Sequence, residues 1–439
     1  MSAFVEFQPY DDQIEAINNI RQAFTQYRRV LFRGPTGFGK TFVFTYIARR
    51  LAQKNIRLGI VVHRQELVQQ IRDALGVPHG VIMNDWAPNP NMPIQVASVQ
   101  TLARRLNKYS FDWLIWDECH HNPAAEYQKI QNHYNVARHL GVTATPFRLD
   151  GLGLSDCFDA IVCGPTVPEL IAKGRLCKGI AFSHGNIISR EGIRRNKSGE
   201  LNQDQLAERA MNKCLIGDMV EHYRQRCDGA PAVLFAVNRE HSQFCAKAFC
   251  DAGYRFIHVD ATTSTDDRKA AFQGLKHGTV DGVCNVDLVS EGFDVPHLVT
   301  VIDAQPGEAL ARHIQKIGRG ARMAPGKDVF YYLDHAGNIM RHMYAPNMDL
   351  EGFTLEGEPK RRITGGEKDA IVTQCSHCYR VYEGRGECPY CGFVPVGQGR
   401  ELTQLDWQLV KLTEEREADR KSTRLNSSHV SESRMPSSA

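Results

Sequence analysis

A glycine-rich stretch near the N-terminus has the residue types that bind phosphate. Residues 34–41 read Gly-Pro-Thr-Gly-Phe-Gly-Lys-Thr and follow a short apolar run, Val30-Leu31-Phe32. This is the G-x-x-x-x-G-K-[ST] pattern of a phosphate loop, in the strand–loop–helix context that the pattern requires. Glycines let backbone N–H groups turn inward around an anion, and the positive end of the next helix faces the same anion. The stretch therefore predicts a nucleoside triphosphate site.

Each polar side chain of this loop has an expected contact. The lysine is expected to reach the β- and γ-phosphates, and the last hydroxyl to ligate Mg²⁺. A glycine-rich turn beside an unrelated lysine is the alternative, which the flanking apolar strand and helix disfavour. The loop residues expected at the nucleotide are Gly34, Thr36, Gly37, Gly39, Lys40 and Thr41.

A glutamine upstream of the loop is a candidate for base recognition. Gln13 lies in YDDQIEAINNIRQAF, where isoleucines recur at helical spacing. Its amide offers one donor and one acceptor, which suits the adenine edge. An exposed helix glutamine would have the same sequence context, so both interpretations stay open.

Two acidic residues follow the second decisive apolar run, WLIW. Asp117 and Glu118 are expected at the carboxyl edge of a buried strand. Asp117 can hold Mg²⁺, and Glu118 can orient and deprotonate the water that attacks the γ-phosphate. We expect His120 to couple this pair to the rest of the molecule, and Thr143 and Thr145 to exchange hydrogen bonds with it. A hydroxyl-rich turn at a strand end is the alternative for the two threonines.

Other strand ends are expected to share this edge. His63 and Arg64 follow the apolar run LGIVV, and Thr101 follows IQVAS after two residues. Open α/β sheets bind ligands outside the carboxyl ends of their strands. These three residues are therefore predicted to contact nucleic acid.

The second half of the chain repeats the alternation of short apolar strands and helices. Within it, Gly292 would allow a close backbone approach, and Asp294 could accept a hydrogen bond from a ribose hydroxyl or an arginine. An aspartate turn before Pro296 is the alternative.

A basic segment, HIQKIGRGARM, follows. Gln315, Arg319 and Arg322 lie three or four residues apart and share one face of a helix or its end. Guanidinium groups aimed at the γ-phosphate would stabilise the transition state and raise the rate of hydrolysis by about 10³-fold or more. A solvated basic helix end is the alternative.

Together these segments resemble a known family. GPTGFGKT, VVHRQEL, DECH, TAT, SEGFD and QKIGRGAR resemble, in this order, motifs I, Ia, II, III, V and VI of superfamily 2 helicases of the DExH class. The resemblance spans about residues 8–342 and implies an α/β fold of two tandem RecA-like parallel-sheet domains. It also implies ATP between the domains and nucleic acid across them. GPTVPEL, LDHAGN and the cysteines below are similar to elements of bacterial and phage DNA-repair helicases of the RadD type.

Two C-x-x-C pairs near the end predict a small zinc ribbon. Nine residues separate the pairs, enough for a hairpin, and each pair can close a knuckle around one Zn²⁺. Tyr379 and Arg380 in this ribbon could contact DNA by stacking and charge, or the ribbon could be a structural brace or a protein-docking module. The four predicted ligands are Cys375, Cys378, Cys388 and Cys391.

Composition describes an ordinary globular chain. The 439 residues are 42% hydrophobic and 23% charged, with a net charge of +3 that says little about partners. We find no apolar run of about 20 residues and no secretory signal, so no membrane association and a cytoplasmic location are expected. Nine of the 13 cysteines are scattered through apolar segments and are expected to be reduced core residues.

The length predicts several domains. The expected divisions are an ATP-binding domain at 1–163, a linker or insertion at 164–227, a second RecA-like domain at 228–345, a linker at 346–371, the zinc ribbon at 372–398, a charged helix at 399–421 and a serine-rich tail of non-native appearance at 422–439.

These features predict an ATP-dependent helicase or translocase acting on single-stranded or branched DNA, in repair, recombination or replication. Three alternatives remain. The chain could be an RNA-directed DExH helicase, an ATP-switched protein that binds or recruits nucleic acid, or the motor subunit of a restriction system with a nuclease on another chain.

Overall fold

A computed structural model describes residues 8–63, 65–84, 86–183, 192–194, 201–210, 213–286, 295–359, 372–384 and 386–394. Of the predicted site residues, Arg64, Gly292 and Asp294 lie outside these ranges. The predicted charged helix and serine-rich tail also lie outside them.

A parallel sheet of seven strands forms the centre of the first lobe. The strands follow the order β3-β4-β2-β5-β6-β1-β7 across the sheet. They are β1 (Arg29–Arg33), β2 (Leu58–Val62), β3 (Gly80–Ile82), β4 (Ile94–Ser98), β5 (Trp113–Asp117), β6 (Arg138–Thr143) and β7 (Ala160–Cys163).

Helices cover both faces of this sheet. Along β1, Val30 and Phe32 pack into one apolar cluster, whereas Leu31 packs into the other. Burial on both faces explains why the strands read as unbroken apolar runs. The helices are α1 (Asp11–Ala23), α2 (Lys40–Ala52), α3 (Gln65–Leu75), α4 (Val99–Leu102) and α5 (Ala125–His133), and α6 (Val167–Ala172) follows the last strand.

A second parallel sheet, of six strands, forms the second lobe in the order β10-β11-β9-β12-β13-β8. The strands are β8 (Lys178–Ser183), β9 (Ala232–Phe235), β10 (Phe256–Val259), β11 (Gly282–Asn285), β12 (Thr300–Asp303) and β13 (Val329–Asp334). Its helices are α7 (Gln203–Ala210), α8 (Lys213–Cys227), α9 (Arg239–Asp251), α10 (Thr265–His277), α11 (Leu310–Gly320) and α12 (Asn338–His342). Two tandem parallel-sheet α/β units are thus confirmed.

The stretch 164–227 is more than the linker or insertion that the sequence predicted. It contains β8, which pairs with β13 along its whole length as the edge strand of the second sheet. The strand was missed because an edge position leaves Lys178 and Ile180 partly exposed. Its apolar run, Ile180 to Phe182, is short and lies between polar or small residues, which is a weak pattern for a buried strand.

After α12 the chain returns to the first lobe through residues 344–358, which we call the return segment. The carbonyl of Leu355 accepts the N–H of Leu154 at 2.8 Å, and Leu355 packs against the cluster that contains Leu154. The first part of the predicted linker at 346–371 therefore packs against the first lobe. Apolar residues of the return segment follow neither the helical nor the strand period, so the sequence carries no signal for their burial.

A buried ion pair fixes the return segment beside the phosphate loop. Asp349 pairs with Arg33, the last residue of β1, and both side chains are 4% exposed. The other oxygen of Asp349 accepts the N–H of Val167, at the start of α6, at 2.9 Å. One carboxylate thus connects the first lobe, the crossing to the second lobe and the return segment.

A buried polar network holds α11 against the second sheet. Lys316 Nζ donates to Asp303 Oδ1 at 2.8 Å, and the two side chains are 2% and 0% exposed. Tyr332 and Asn338 donate to the other oxygen of Asp303 at 2.6 and 2.8 Å. Burial alone would raise the pKa of Asp303, but Lys316 and the Tyr332 hydroxyl hold it below its ordinary value.

The first cysteine pair belongs to an antiparallel hairpin at residues 372–384, which we call the cysteine hairpin. Its strands are β14 (Val372–Gln374) and β15 (Val381–Glu383). The N–H of Ser183, at the end of β8, donates to the carbonyl of Tyr379 at 3.3 Å. The hairpin therefore packs on the edge of the second sheet.

In the part of the chain that the structure describes, no helix combines the length and apolarity needed to cross a bilayer.

We expect Lys316→Met to lower the free energy of unfolding by about 3–5 kcal/mol, because Asp303 would remain buried without its cation. Denaturation by urea measures the change. Lys247→Met is the matched control, since Lys247 pairs with Asp251 on the surface, where side chains are 71% and 64% exposed; it should cost less than about 1 kcal/mol. Equal losses would contradict a special role for the buried pair.

The stability that this pair contributes depends on pH. Because the pKa of Asp303 is lowered in the folded protein, the contribution is present above the ordinary carboxyl pKa and is lost as pH falls through the folded-state pKa.

Candidate nucleotide site and cysteine cluster

The phosphate loop joins β1 to α2 in a shape that two glycines permit. Gly37 and Gly39 have φ angles of 89° and 91°, in the left-handed region. Gly39 caps α2, and Lys40 is the first residue of that helix. Lys40 Nζ lies 3.3 Å from the carbonyl of Pro35 inside the loop. The loop, its lysine and the helix N-terminus therefore face one point, as a bound phosphate requires.

Lys40 faces the acidic pair. Burial lowers the pKa of Lys40, and the nearby charges of Glu118 and Asp117 oppose that shift. Asp117 is 8% exposed at the end of β5. The cation that follows β1 and the two carboxylates at the end of β5 thus share a poorly solvated space, where electrostatic interactions are strong.

The backbone aims the Glu118 side chain. Glu118 has φ 48° and ψ 53°, the left-handed conformation that a residue with a side chain rarely adopts. Its carboxylate lies 3.3 Å from Thr143 Oγ1 and 3.4 Å from His120 Nδ1. Strain of this kind persists where the surroundings fix it, which is common at functional sites.

A small network connects Glu118 to the end of β6. His120 Nδ1 lies 3.1 Å from Thr143 Oγ1. The N–H of Thr145 donates to the same hydroxyl at 3.2 Å. His120 and Thr143 therefore lie beside Glu118, and Thr145 is joined to this network through Thr143.

A row of imidazole rings extends from this network to the end of β2. The His120 and His121 ring centroids are 4.1 Å apart, and those of His121 and His63 are 4.6 Å apart. His121 was not singled out from the sequence, because a second histidine after DECH has no spacing that distinguishes it. Thr101 is 4% exposed, and its hydroxyl accepts a hydrogen bond from Ser98 in the cap of α4.

Gln13 reaches the phosphate loop from α1. Its Nε2 donates to the carbonyl of Phe38 at 3.0 Å, and its Oε1 accepts the N–H of Tyr10 at 3.1 Å. Both ends of the amide are therefore engaged with backbone. Arg175 lies with its guanidinium 3.1 Å from the centre of the Tyr10 ring and forms an ion pair with Asp12 at 3.2 Å. Sequence analysis missed Tyr10 and Arg175, which no motif marks.

Both lobes contribute to one cavity of about 640 Å³. Gln315, Arg319 and Arg322 of the second lobe line it. Arg319 is 8% exposed, and Gln315 Nε2 has no hydrogen-bond partner among the described residues. Arg175, between α6 and β8, also lines the cavity. The first lobe supplies Tyr10, Gln13, Thr36, Gly37, Gly39, Lys40, Thr41, Asp117 and Glu118.

One glycine allows the two lobes to meet. A Cβ atom on Gly318, in α11, would approach the Thr36 side chain closer than the 3.0 Å that real Cβ atoms keep. Gly318 is therefore needed for α11 to lie against the phosphate loop, with Gln315, Arg319 and Arg322 directed at the cavity.

The four predicted metal ligands come together at the C-terminal end of the described chain. The Sγ atoms of the four cysteines lie within 4.8 Å of one another. The N–H groups of His377 and Cys378 point at Cys375 Sγ from 3.4 and 3.5 Å, which favours a thiolate there. Tetrahedral zinc with bonds of about 2.3 Å requires sulfurs about 3.8 Å apart, so this donor set can hold a metal ion.

Two protein-family models match the chain. "Type III restriction enzyme, res subunit" matches residues 6–148, and "Helicase conserved C-terminal domain" matches residues 215–324. The first match contains the phosphate loop and the acidic pair, and the second contains α11 and both Arg319 and Arg322.

Similar whole proteins include a phage protein and a yeast protein. The "51.5 kDa protein" of a Lactococcus phage is 32% identical over 88% of this chain and 83% of its own length. A Saccharomyces cerevisiae protein named as an ATP-dependent helicase, IRC3, is 29% identical over 74% of this chain. This chain spans only 50% of that yeast protein.

Among solved structures, a fragment assigned to the HsdR subunit of a type I restriction enzyme from Vibrio vulnificus has a TM-score of 0.62. It covers 77% of this chain and 66% of its own, at 20% identity. At that identity the likeness concerns the fold alone.

We expect Gly318→Ala to lower ATP turnover by about 10-fold or more, because the added methyl group must displace α11 from the phosphate loop and misplace the groups that α11 carries. The release of phosphate measures turnover. Gly307→Ala is the matched control, since a Cβ atom there meets no atom within 4 Å. Similar turnover of the two variants would show that the close approach is not needed.

Proposed function

Because the chain belongs to the superfamily 2 helicases, we propose that it is an ATP-driven motor that moves along or remodels DNA. A role in repair, recombination or replication is proposed on the likeness of GPTVPEL, LDHAGN and the paired cysteines to RadD-type DNA-repair helicases. The observation that carries the proposal is the shared cavity. Arg319 and Arg322 of the second lobe line it together with Lys40 and Glu118 of the first.

We assign the first lobe the binding of the nucleotide. The phosphate loop and Lys40 would bind the phosphates, and we assign the base to the part of the cavity that Gln13 lines. Thr41 and Asp117 would hold Mg²⁺, which neutralises phosphate charge when it is bound. Both residues line the cavity and offer the hard oxygen ligands that this ion prefers.

Hydrolysis needs a base and compensating charge. Glu118 accepts the proton of the attacking water, and His120 and Thr143 hold its carboxylate in position. Arg319 and Arg322 bind the oxygens on which negative charge develops, with Gln315 beside them. Because these arginines come from the other lobe, turnover depends on lobe position, and lobe movement is the step that can drive translocation.

DNA is the proposed track rather than RNA. The family model that matches the first lobe is one of restriction enzymes, and the likeness to DNA-repair helicases points the same way. The same match favours a second candidate, the motor subunit of a restriction system, which would need a nuclease on another chain.

Zinc is the proposed occupant of the four-cysteine cluster. Four thiolates are the donor set of structural zinc sites, and the cluster can enclose the ion completely. Thiolates persist in a reducing compartment, so we propose that the protein works in the cytoplasm. The cluster could also present a surface to a protein partner.

Steady-state ATPase activity with single-stranded DNA, duplex DNA and RNA tests the proposal. We expect DNA to stimulate turnover, and Glu118→Gln to lower the stimulated rate by about 10²–10⁴-fold while ATP still binds, because only the proton acceptor is lost. Glu126→Gln is the control, since Glu126 lies on the exposed face of α5. If RNA alone stimulated turnover, RNA would replace DNA as the proposed track. If no nucleic acid stimulated turnover, the proposal that the protein is a motor would be rejected.

Metal analysis by mass spectrometry tests the zinc site. We expect about one zinc ion per chain, and we expect Cys391→Ser to lose it. Cys391 is exposed, so this substitution removes a ligand without disturbing a core. Cys163→Ser, at another exposed cysteine, should keep the ion. A wild-type protein purified without metal would contradict the assignment.

A further inference from the structure

A second, smaller cavity lies at the edge of the second lobe, where the strands β8 and β13 end. Its volume is about 100 Å³, and Phe182, His222, Arg226, His335 and Tyr379 are among its lining residues. We call it the hairpin cleft. None of these residues takes part in the nucleotide site.

Three elements of different origin meet at the cleft. Phe182 comes from the edge strand β8, Arg226 from α8 and Tyr379 from the cysteine hairpin. The hairpin is held there by the hydrogen bond from the Ser183 N–H to the Tyr379 carbonyl and by a bridge between Phe182 and Arg380. Tyr379 has φ 60°, a left-handed conformation, and is 40% exposed. The hairpin thus places an aromatic ring at the rim of the second lobe.

The cleft combines guanidinium groups with rings. The Arg226 and Arg380 guanidiniums lie 4.6 and 5.7 Å from the centre of the Phe182 ring. The His222 and His335 rings stack at 5.2 Å. Its rim therefore offers cations beside aromatic faces.

The acidic residue of the cleft is turned inward. Asp334 is 1% exposed, and its oxygens accept hydrogen bonds from Ser183 Oγ and from the N–H groups of Asn338 and Ile339 at 2.8–3.0 Å. Its charge is consequently engaged by the fold and does not cancel Arg226 at the surface.

These properties fit a single strand of nucleic acid. Guanidiniums bind phosphate, and aromatic faces stack on bases whatever the sequence. The carboxyl ends of parallel strands are also the edge at which α/β sheets bind ligands. With about 100 Å³, the cleft can admit one ring or one phosphate group but no whole nucleoside triphosphate.

We propose that the hairpin cleft is a contact for the DNA strand, in which Arg226 binds a phosphate and Tyr379 stacks on a base. This inference rests on the proposed motor function and deepens it. It makes the cysteine hairpin part of the surface that holds the track.

Fluorescence anisotropy with a labelled single-stranded DNA, over a series of salt concentrations, tests the contact. We expect Arg226→Ala to weaken binding by about 10-fold and to reduce the slope of log K against log salt by about 0.7, the value for one phosphate contact on a single strand. Arg226→Lys should keep the slope. Tyr379→Ala should weaken binding by about 10-fold, whereas Tyr379→Phe, which keeps the ring, should not.

Arg224→Ala is the matched control. Arg224 lies on the same helix but pairs with Glu221 at 2.9 Å and does not line the cleft. All variants should keep the ATP turnover measured without DNA, because none of these residues lines the nucleotide cavity.

Three results would count against the inference. Affinities of Arg226→Ala and Tyr379→Ala equal to that of Arg224→Ala would overturn it and leave the motor proposal intact. Weaker binding with an unchanged salt slope would overturn the phosphate contact. A wild-type protein that binds no nucleic acid would reject the proposed function and this contact together.

Discussion

The close approach of α11 to the phosphate loop is the interaction on which the rest of the structure depends. Gly318 has no side chain, so the helix can lie directly on Thr36. A side chain at this position would push α11 away from the loop and move the arginines of one lobe away from the lysine and acidic pair of the other. Each lobe carries about half of the groups that phosphoryl transfer needs. The cavity therefore exists only as a property of the pair of lobes.

The charged groups that hold α11 in place cost free energy to bury. Lys316, on the same helix as Arg319, is held by Asp303 with almost no access to water. Such a pair contributes little net stability compared with apolar residues of the same size. Its two charges are paired, however, only when the helix lies in this one position. Glu118 is similar, because its backbone is held in a disfavoured conformation that costs stability but fixes the direction of the side chain. The strain at Glu118 and the buried charge of Lys316 thus both lie on elements that line the cavity.

Sequence reasoning succeeded where one local pattern dictates one conformation. The strands before Gly34 and Asp117 are buried on both faces, so their apolar runs identified them, and the two parallel sheets followed. It failed for β8 because an edge strand has a weak pattern, and for the return segment because its burial depends on contacts between residues far apart in the chain. Tyr10 and Arg175, which contact each other, show the same limit. Their neighbours in space come from distant segments, and no spacing in the sequence encodes that proximity.

The return segment has a mechanical consequence. The chain leaves the first lobe, builds the second and comes back, and Asp349 binds both crossings near one point. Two bodies joined at neighbouring points keep freedom to rotate about them but little freedom to slide or separate. Relative movement of the lobes is therefore expected to be mainly rotation about this place, and that rotation would change the cavity that the two lobes share.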